Sequence, residues 1–280
     1  MKIKRLLVVL LAACMLLAHV AHANDREDAI RYIQAKQYDK AYAPVKAMAE
    51  KDDPWAQEML GEMYRQGKGA RQDYVQAAKW LRKAADQGRK GSQYNLGTLY
   101  EDGTGVNKDL KEALRLYRAA ATQNHAGAEF KIGRFYMNGM AVKENHAEAF
   151  KWYLKAAEHG AKEAYFNVGY MYDFGVGTKV DGPQAEKWYQ KAIASGSHDA
   201  SYQLGYMYIY GKNIKKQPEK GVELIRIAAD NGVAKAQGAL GYEYERGLYL
   251  EKDLVKAREW YGKSAAQGNE QAKERLVNLR

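Results

Sequence analysis

The chain repeats a pattern every 36 residues, and this period constrains its fold more than any other feature. A glycine recurs six times without insertion, a tyrosine follows three residues after each, and a second glycine follows three residues further on. The first glycines of the six copies are Gly61, Gly97, Gly133, Gly169, Gly205 and Gly241. Periods of this length are typical of arrays in which each unit buries its apolar face against its neighbours.

Each copy has the pattern of a helical hairpin. The first half, as in AQEMLGEMYRQG, has apolar residues at helical spacing and ends at a glycine suited to a left-handed C-cap. The second half, as in AAKWLRKAADQG, places apolar residues at i, i+3, i+4, i+7 and i+8. The predicted N-cap residues of the second helices are Asp73, Asp109, Asn145, Asp181 and Asp253.

The repeated pattern LGxxYxxGxGVxxDxxxAxxWYxxAAxxG resembles the Sel-one-like repeat (SLR), a relative of the tetratricopeptide repeat. The resemblance implies an all-α fold, a right-handed α-solenoid of stacked helical hairpins with a concave groove. It places six repeats at 55–270, an N-terminal capping hairpin at 24–54 and a C-terminal capping helix at 271–280. Within the N-terminal cap, Pro44 predicts a helix that starts near Ala41 or kinks.

The first residues have the pattern of an export signal. Three basic residues within the first five positions precede an apolar run, and Ala-His-Ala ends at Ala23 in the form of a signal-peptidase site. We therefore expect a signal peptide at 1–23 and a bacterial protein that is periplasmic or secreted. Lipidation at Cys14, which would attach the chain to a membrane, and an uncleaved anchor remain as alternatives. Cleavage after Ala23 would remove the only cysteine, so the mature chain would contain no disulfide.

No constellation of catalytic residues accompanies the repeat. The histidines after the signal peptide, His125, His146, His159 and His198, lie in predicted turns or at a helix start, without metal-ligand spacing. The recurring GxG lies between helices, so helix capping explains it better than nucleotide binding. Some SLR proteins are linked to β-lactam binding or hydrolysis, but those carry a cysteine pair in each repeat. The sequence therefore predicts a non-enzyme without cofactor or metal, and a hydrolase is the weakest alternative.

The net charge of +10 is weak evidence for a partner, because Lys and Arg mostly alternate with Glu and Asp as on solvated helix faces. Nucleic acid is not expected as a ligand, since no basic-aromatic recognition motif is present. One loop, GKNIKKQPEKG, concentrates Lys212, Lys215 and Lys216. It is interpreted first as a solvated loop and second as a docking point for an acidic partner or an anionic envelope polymer.

Tetratricopeptide-like solenoids bind ligands mainly through variable positions of the first helix. That register implies a concave face at Trp55, Glu58, Glu62, Arg65, Gln66 and every thirty-sixth residue after each. The early copies present charged and polar groups there, and the later copies present rings. The candidate groove residues are Phe166, Tyr170, Phe174, Tyr202, Tyr206, Tyr210 and Tyr242. Packing in the core is the alternative for each of them, whereas Tyr208 is expected to point into the core.

Exposed rings in a groove suit an extended ligand, because an aromatic side chain offers a large contact area at low entropic cost. The first functional hypothesis is therefore a non-catalytic, exported interaction scaffold. It would bind a protein or peptide segment in its groove, in an envelope complex or at a host interface. The second is a module that stacks tyrosines on peptidoglycan or another glycan.

Overall fold

A computed structural model describes residues 25–279, which form fifteen helices and, within that range, no strand. Helix α1 spans residues 25–34. The others are α2 (Tyr38–Glu50), α3 (Pro54–Gln66), α4 (Tyr74–Asp86), α5 (Lys90–Asp102), α6 (Leu110–Ala121), α7 (Ala126–Met137), α8 (His146–Glu158), α9 (Lys162–Phe174), α10 (Gly182–Ala194), α11 (His198–Tyr210), α12 (Pro218–Asp230), α13 (Ala234–Arg246), α14 (Leu254–Ala266) and α15 (Glu270–Asn278). The predicted signal peptide and the Cys14 alternative lie outside the described residues.

The chain divides into two units, the first ending at Ile132 and the second beginning at Gly133. In the first unit, α2 packs on α3, α3 on α4, α4 on α5 and α5 on α6. In the second unit each helix from α8 to α14 packs on the next, and the last of these pairs is α14 with α15. Packing between helices that are neighbours in sequence is the signature of stacked hairpin repeats, so the predicted all-α solenoid class is confirmed.

Short polar side chains and glycines begin and end the helices as predicted. The five predicted N-cap residues each accept a backbone N–H, as where Asp73 Oδ1 lies 3.0 Å from the nitrogens of Val75 and Gln76. Five first helices end at a glycine in the left-handed region with φ between 64° and 75°. The last described helix, α15, contributes Leu276 to a cluster with Tyr261 and Ala272.

Helix α2 runs through Pro44 from Tyr38, so of the two predicted alternatives the start near Ala41 is wrong, and a kink stays a prediction. A proline inside a helix removes one backbone hydrogen bond. The burial of Ala41, Val45 and Met48, each at most 1% exposed, offsets that loss by fixing the helix against its neighbours. Within residues 25–279, no helix is long and apolar enough to cross a bilayer.

The two glycines of the GxG segment have different roles. Gly103 ends α5 as a left-handed C-cap, as predicted. Gly105 lies against the preceding hairpin, because a Cβ there would be 2.3 Å from the Tyr74 carbonyl oxygen. Capping thus explains only the first glycine, and close contact between hairpins explains the second.

The glycine that defines each copy lies where the two helices of the hairpin approach most closely. A Cβ added at Gly169 would be 2.7 Å from Cδ1 of Tyr189, which is fully buried. Gly97, Gly133 and Gly241 meet a tyrosine ring of the second helix in the same way. No larger residue fits without moving a ring that has no free space around it.

In the fifth copy, different residues allow the two helices of the hairpin to approach closely. Gly221 replaces the alanine that the other copies have at this position, and Ile225 replaces the ring. A Cβ at Gly205 would be 2.8 Å from the Gly221 carbonyl oxygen, and one at Gly221 would be 2.7 Å from that of Gly205. Here α11 and α12 touch through their backbones, which is why both positions are glycine.

We expect Gly169→Ala to lower the free energy of unfolding by about 1–3 kcal/mol, because the methyl group overlaps the Tyr189 ring. Gly262→Ala is the matched control. It lies inside α14 with no atom within 4 Å of the added Cβ, and should stabilise by about 0.5–1 kcal/mol. Urea unfolding followed by circular dichroism measures both, and equal effects would contradict the glycine–ring contact.

Candidate functional site

Helix α11 carries two kinds of tyrosine. Tyr208 is 5% exposed and its hydroxyl donates to Glu186 Oε1. Tyr206 and Tyr210 are 40% and 51% exposed, with ring centroids 4.4 Å apart. Residues four apart in a helix share a face, so Tyr202, half-buried, lies one turn before them with its centroid 6.5 Å from that of Tyr206. Tyr208 belongs to the core, Tyr206 and Tyr210 face away from it, and Tyr202 packs partly against the cluster of Ile209, Ile225 and Leu240.

A cavity of about 700 Å³ in the second unit is lined mainly by residues of α11, α13 and α15, with single residues from α12 and α14. Tyr202, Tyr206 and Tyr210 line it from α11, and Tyr242 and Glu243 from α13. Four of the seven aromatic residues expected in a groove therefore meet at one cavity. We call it the tyrosine cavity.

The other three aromatic candidates form a separate row on α9. Phe166, Tyr170 and Phe174 are four apart, with successive ring centroids 6.3 and 4.5 Å apart. Tyr170 is 38% exposed and Phe174 is 45% exposed, whereas Phe166 is half-buried. The row is therefore an exposed aromatic surface of its own.

The lysine-rich loop contacts this row. Lys212 Nζ lies 3.5 Å from the Phe174 ring centroid and 2.9 Å from Oδ1 of the buried Asp173. Lys216 Nζ lies 5.4 Å from the Tyr249 ring centroid, and Lys215 is exposed. The three cations are thus not equivalent, since Lys212 is held by protein groups. Use of the loop as a docking point stays a prediction.

A carboxylate receives a tyrosine hydroxyl and a cation at the edge of the tyrosine cavity. The Tyr261 hydroxyl donates to Glu245 Oε2 over 2.6 Å, and Arg275 Nη1 donates to the same oxygen over 3.0 Å. The Arg275 guanidinium also lies over the Tyr242 ring, 4.6 Å from its centroid. Arg275 of α15 is thus held by Glu245 in a position where it packs on the Tyr242 ring.

The first unit contains the same arrangement. Tyr117 donates to Glu101 Oε2 over 2.6 Å, and Lys131 Nζ lies 3.1 Å from that oxygen. The sequence analysis predicted neither of these two groups of an acid, a tyrosine and a cation. The available signal was an acid followed sixteen residues later by a tyrosine of the second helix.

Glu243 is a second residue that sequence reasoning missed. It is 2% exposed, and its Oε2 has no hydrogen-bond partner. Burial raises the pKa of its carboxyl, and a hydrogen bond from the Tyr249 backbone opposes the shift. The other five copies have an apolar residue at this position: Met63, Leu99, Phe135, Met171 and Met207.

Two tyrosines of the cavity are held in their neutral form. Burial raises the pKa of Tyr202. Partial burial, together with the nearby Glu243 carboxylate, raises the pKa of Tyr210 to about 12, although half of its side chain is exposed. Both hydroxyls are therefore hydrogen-bond donors at neutral pH.

On the first unit, Glu58 and Glu62, two acids predicted for the concave face, are already paired. Glu62 accepts from Asn95 Nδ2 over 2.6 Å, from Arg65 Nε over 3.0 Å and from Gln66 Nε2 over 2.7 Å. Glu58 is paired with Arg89. A ligand would have to break these contacts, so the tyrosine cavity is the better candidate site. Among residues 25–279, no three His, Cys, Asp or Glu side chains are grouped so that they could hold a metal ion.

The chain matches the Sel1 repeat model at residues 56–88, 91–125, 126–160, 162–197, 198–233 and 234–269. It therefore belongs to the Sel1-repeat family, whose members are generally protein-interaction scaffolds and typically non-catalytic. No curated protein sequence matches it significantly.

Among the solved structures that are similar to it, two share about a third of its sequence over most of its length. One is c5321, a protective antigen present in uropathogenic Escherichia coli strains, with 32% identity and a TM-score of 0.86. The match covers 91% of this chain but only 56% of that one, so this chain spans little more than half of that relative. The other is a Sel1 repeat protein from Oxalobacter formigenes, with 34% identity, a TM-score of 0.73, and 86% and 96% of the two chains covered.

Tyr208→Ala should lower the free energy of unfolding by about 3–5 kcal/mol, because it removes a buried ring and leaves Glu186 without its donor. Tyr206→Ala, two residues earlier, should change it by no more than about 0.5–1 kcal/mol, since that ring is 40% exposed. Urea unfolding of the two variants tests this difference. Equal losses would show that the two tyrosines have similar surroundings.

The buried tyrosines also predict how stability depends on pH. Burial raises the pKa of Tyr153 and of Tyr208 from 10.0 to about 12, in Tyr208 with help from Glu186. Because the folded state holds these protons more tightly, their contribution is complete below pH 10 and is lost as pH rises through 12. Ultraviolet titration of tyrosinate should show ionisation in the folded protein at higher pH than in urea. Superimposable curves would contradict the prediction.

Proposed function

We propose that the protein is a non-catalytic, exported interaction scaffold that binds a segment of another protein on its second unit. The binding surface comprises the tyrosine cavity and the aromatic row of α9. Export follows from the predicted signal peptide, and a periplasmic or secreted location is part of the proposal.

The observation that carries the proposal is the set of exposed rings on the first helices of the later copies. Tyr170, Phe174, Tyr206 and Tyr210 are 38% to 51% exposed, whereas most large apolar side chains of the repeats are buried. Rings that water contacts at a concave, partly enclosed surface gain free energy when a ligand covers them. The cavity of about 700 Å³ is large enough for one or two side chains of a bound segment.

Membership of the Sel1-repeat family supports a protein ligand over a glycan, because its members generally bind proteins. Stacking of sugars on the row of α9 is the second candidate. It is favoured by the 4.5 Å spacing and shallow 31° angle between Tyr170 and Phe174, which leave a broad exposed aromatic surface.

The test is affinity capture from bacterial envelope extract with the wild type and a Tyr170→Ala, Tyr206→Ala, Tyr210→Ala triple variant. We expect the triple variant to lose the partner while its helicity and melting temperature stay near those of the wild type. The loss follows from removal of three exposed rings, each of which contributes contact area without supporting the core.

The matched control is a triple variant of Tyr74→Ala, Tyr249→Ala and Val255→Ala, which removes exposed apolar side chains outside the proposed surface. It should capture the partner normally. Capture that survives the first triple variant would overturn the proposal. Cosedimentation with purified cell-wall polymer that is lost in the first variant, without capture of a protein, would support the glycan candidate instead.

A further inference from the structure

The starting observation is a polar residue at a core position. At the position of Glu243, the other five copies have Met63, Leu99, Phe135, Met171 and Met207. Four of these are at most 5% exposed, and the fifth, Phe135, is fully buried. Glu243 is buried to the same degree at 2% exposure, so the sixth copy places a carboxylate where the fold uses an apolar side chain.

A carboxylate at such a position opposes folding. Removing an ionised carboxylate from water is costly unless it is paired, and within the described structure Glu243 has no ion pair. Its Oε2 is buried without a hydrogen-bond partner. The hydrogen bond from the Tyr249 backbone satisfies part of the carboxylate, but folding gives no reason for the unpartnered Oε2, whereas a ligand that pairs with that oxygen would.

The surroundings of Glu243 favour a cation. Glu243 lines the tyrosine cavity together with the rings of Tyr206, Tyr210 and Tyr242. The negative face of an aromatic ring attracts an ammonium or guanidinium group, most strongly where water is excluded. The carboxylate and the rings therefore both favour the binding of a cation.

Rings of this unit already hold cations of the chain itself. Arg275 lies 4.6 Å from the centroid of Tyr242, and Lys212 lies 3.5 Å from that of Phe174. Each of these cations is also paired with a carboxylate, Arg275 with Glu245 and Lys212 with Asp173. Tyr206 and Tyr210 lie next to the unpaired Glu243 and so provide the same combination of rings and a carboxylate. Within the described chain, no cation lies between them.

The cations that line the cavity do not neutralise Glu243. Arg275 is engaged with Glu245. Lys235 is exposed in the first turn of α13, eight residues or about 12 Å of helix before Glu243. The carboxylate is therefore available to a group that enters from outside.

We propose that the tyrosine cavity binds a primary ammonium group, such as a lysine side chain of the bound segment, between the rings of Tyr206 and Tyr210 and the carboxylate of Glu243. The alkyl part of the side chain lies against the rings, and the ammonium group pairs with Oε2 of Glu243. This inference rests on the proposed function, because the lysine belongs to the segment that the scaffold binds.

The test is a titration of the purified protein with N-acetyl-lysine methylamide, followed by the NMR signals of labelled tyrosine rings. The uncharged probe N-acetyl-norleucine methylamide has the same carbon chain without the amine. We expect saturable shifts with the lysine probe and binding that is at least about tenfold weaker with the norleucine probe, since the charged hydrogen bond is lost. Equal binding of the two probes, or saturable binding of neither, would overturn the proposal.

Two variants assign the effect to Glu243. Glu243→Gln keeps the shape and removes the charge, and Glu243→Met restores the residue of the fifth copy. Both should weaken the lysine probe by about tenfold or more. Glu243→Met should also raise the melting temperature, because it replaces an unpaired buried charge by an apolar side chain. A lower melting temperature would mean that the carboxylate supports the fold, and would count against the proposal.

The matched control is Glu223→Gln, which removes one carboxylate from an exposed position of α12 in the same unit. It should leave binding of the lysine probe unchanged. If it weakens the probe as much as Glu243→Gln does, the general charge of the unit explains binding and the site is wrong.

Envelope capture separates this inference from the proposed function. Capture that fails in the tyrosine triple variant and persists in Glu243→Gln would leave the scaffold function intact and reject the ammonium site. Capture that persists in both would reject the scaffold surface itself. Loss in both variants, with the Glu223→Gln control unaffected, is the result that we expect.

Discussion

The close approach of two helices at a glycine is the contact on which each repeat depends. In four copies the glycine lies against a tyrosine ring of the second helix, where a Cβ would come within 2.7–2.8 Å of a ring carbon. The same ring extends to the first helix, and in two copies its hydroxyl meets an acid there: Tyr117 donates to Glu101, and Tyr261 donates to Glu245. A packing constraint inside the hairpin thereby favours an acid at the positions of Glu101 and Glu245 on the first helix.

When one residue of such a contact differs in a copy, the residue that it touches differs as well, because the two must fit together. Where the fifth copy replaces the ring by Ile225, the acid position becomes Ile209, and both are buried. Each of three buried amides has an amide partner as well. Gln87 donates to Gln57, Gln123 to Gln93 and Gln267 to Gln237, each between the first helix of a hairpin and the end of its second helix. A polar group in the core persists where its partner is present, because an unpaired one is costly.

Much of the fold could be predicted from the sequence because six copies show the same spacing of apolar residues, glycines and helix caps. The helices, the caps at Asp73 and its equivalents, and the burial of Tyr208 follow from period and register alone. Of the two alternatives predicted for Pro44, the start of α2 near Ala41 is wrong, because burial of Ala41, Val45 and Met48 outweighs the lost hydrogen bond. The seven aromatic candidates could be named, but their division into a row on α9 and a cavity between α11, α13 and α15 could not. That division depends on how far neighbouring helices lie from one another.

The sequence by itself determined the class of fold, the family and the face of each first helix that carries the rings, since these depend on spacing along a helix. Only the tertiary structure decided which charged groups are satisfied. Glu245 and Asp173 have partners from elements 30 or more residues away, whereas Glu243 is buried without an ion pair beside three tyrosine rings. The free energy of a charge depends on burial and on the distance to its partner, and neither can be read from position in a repeat.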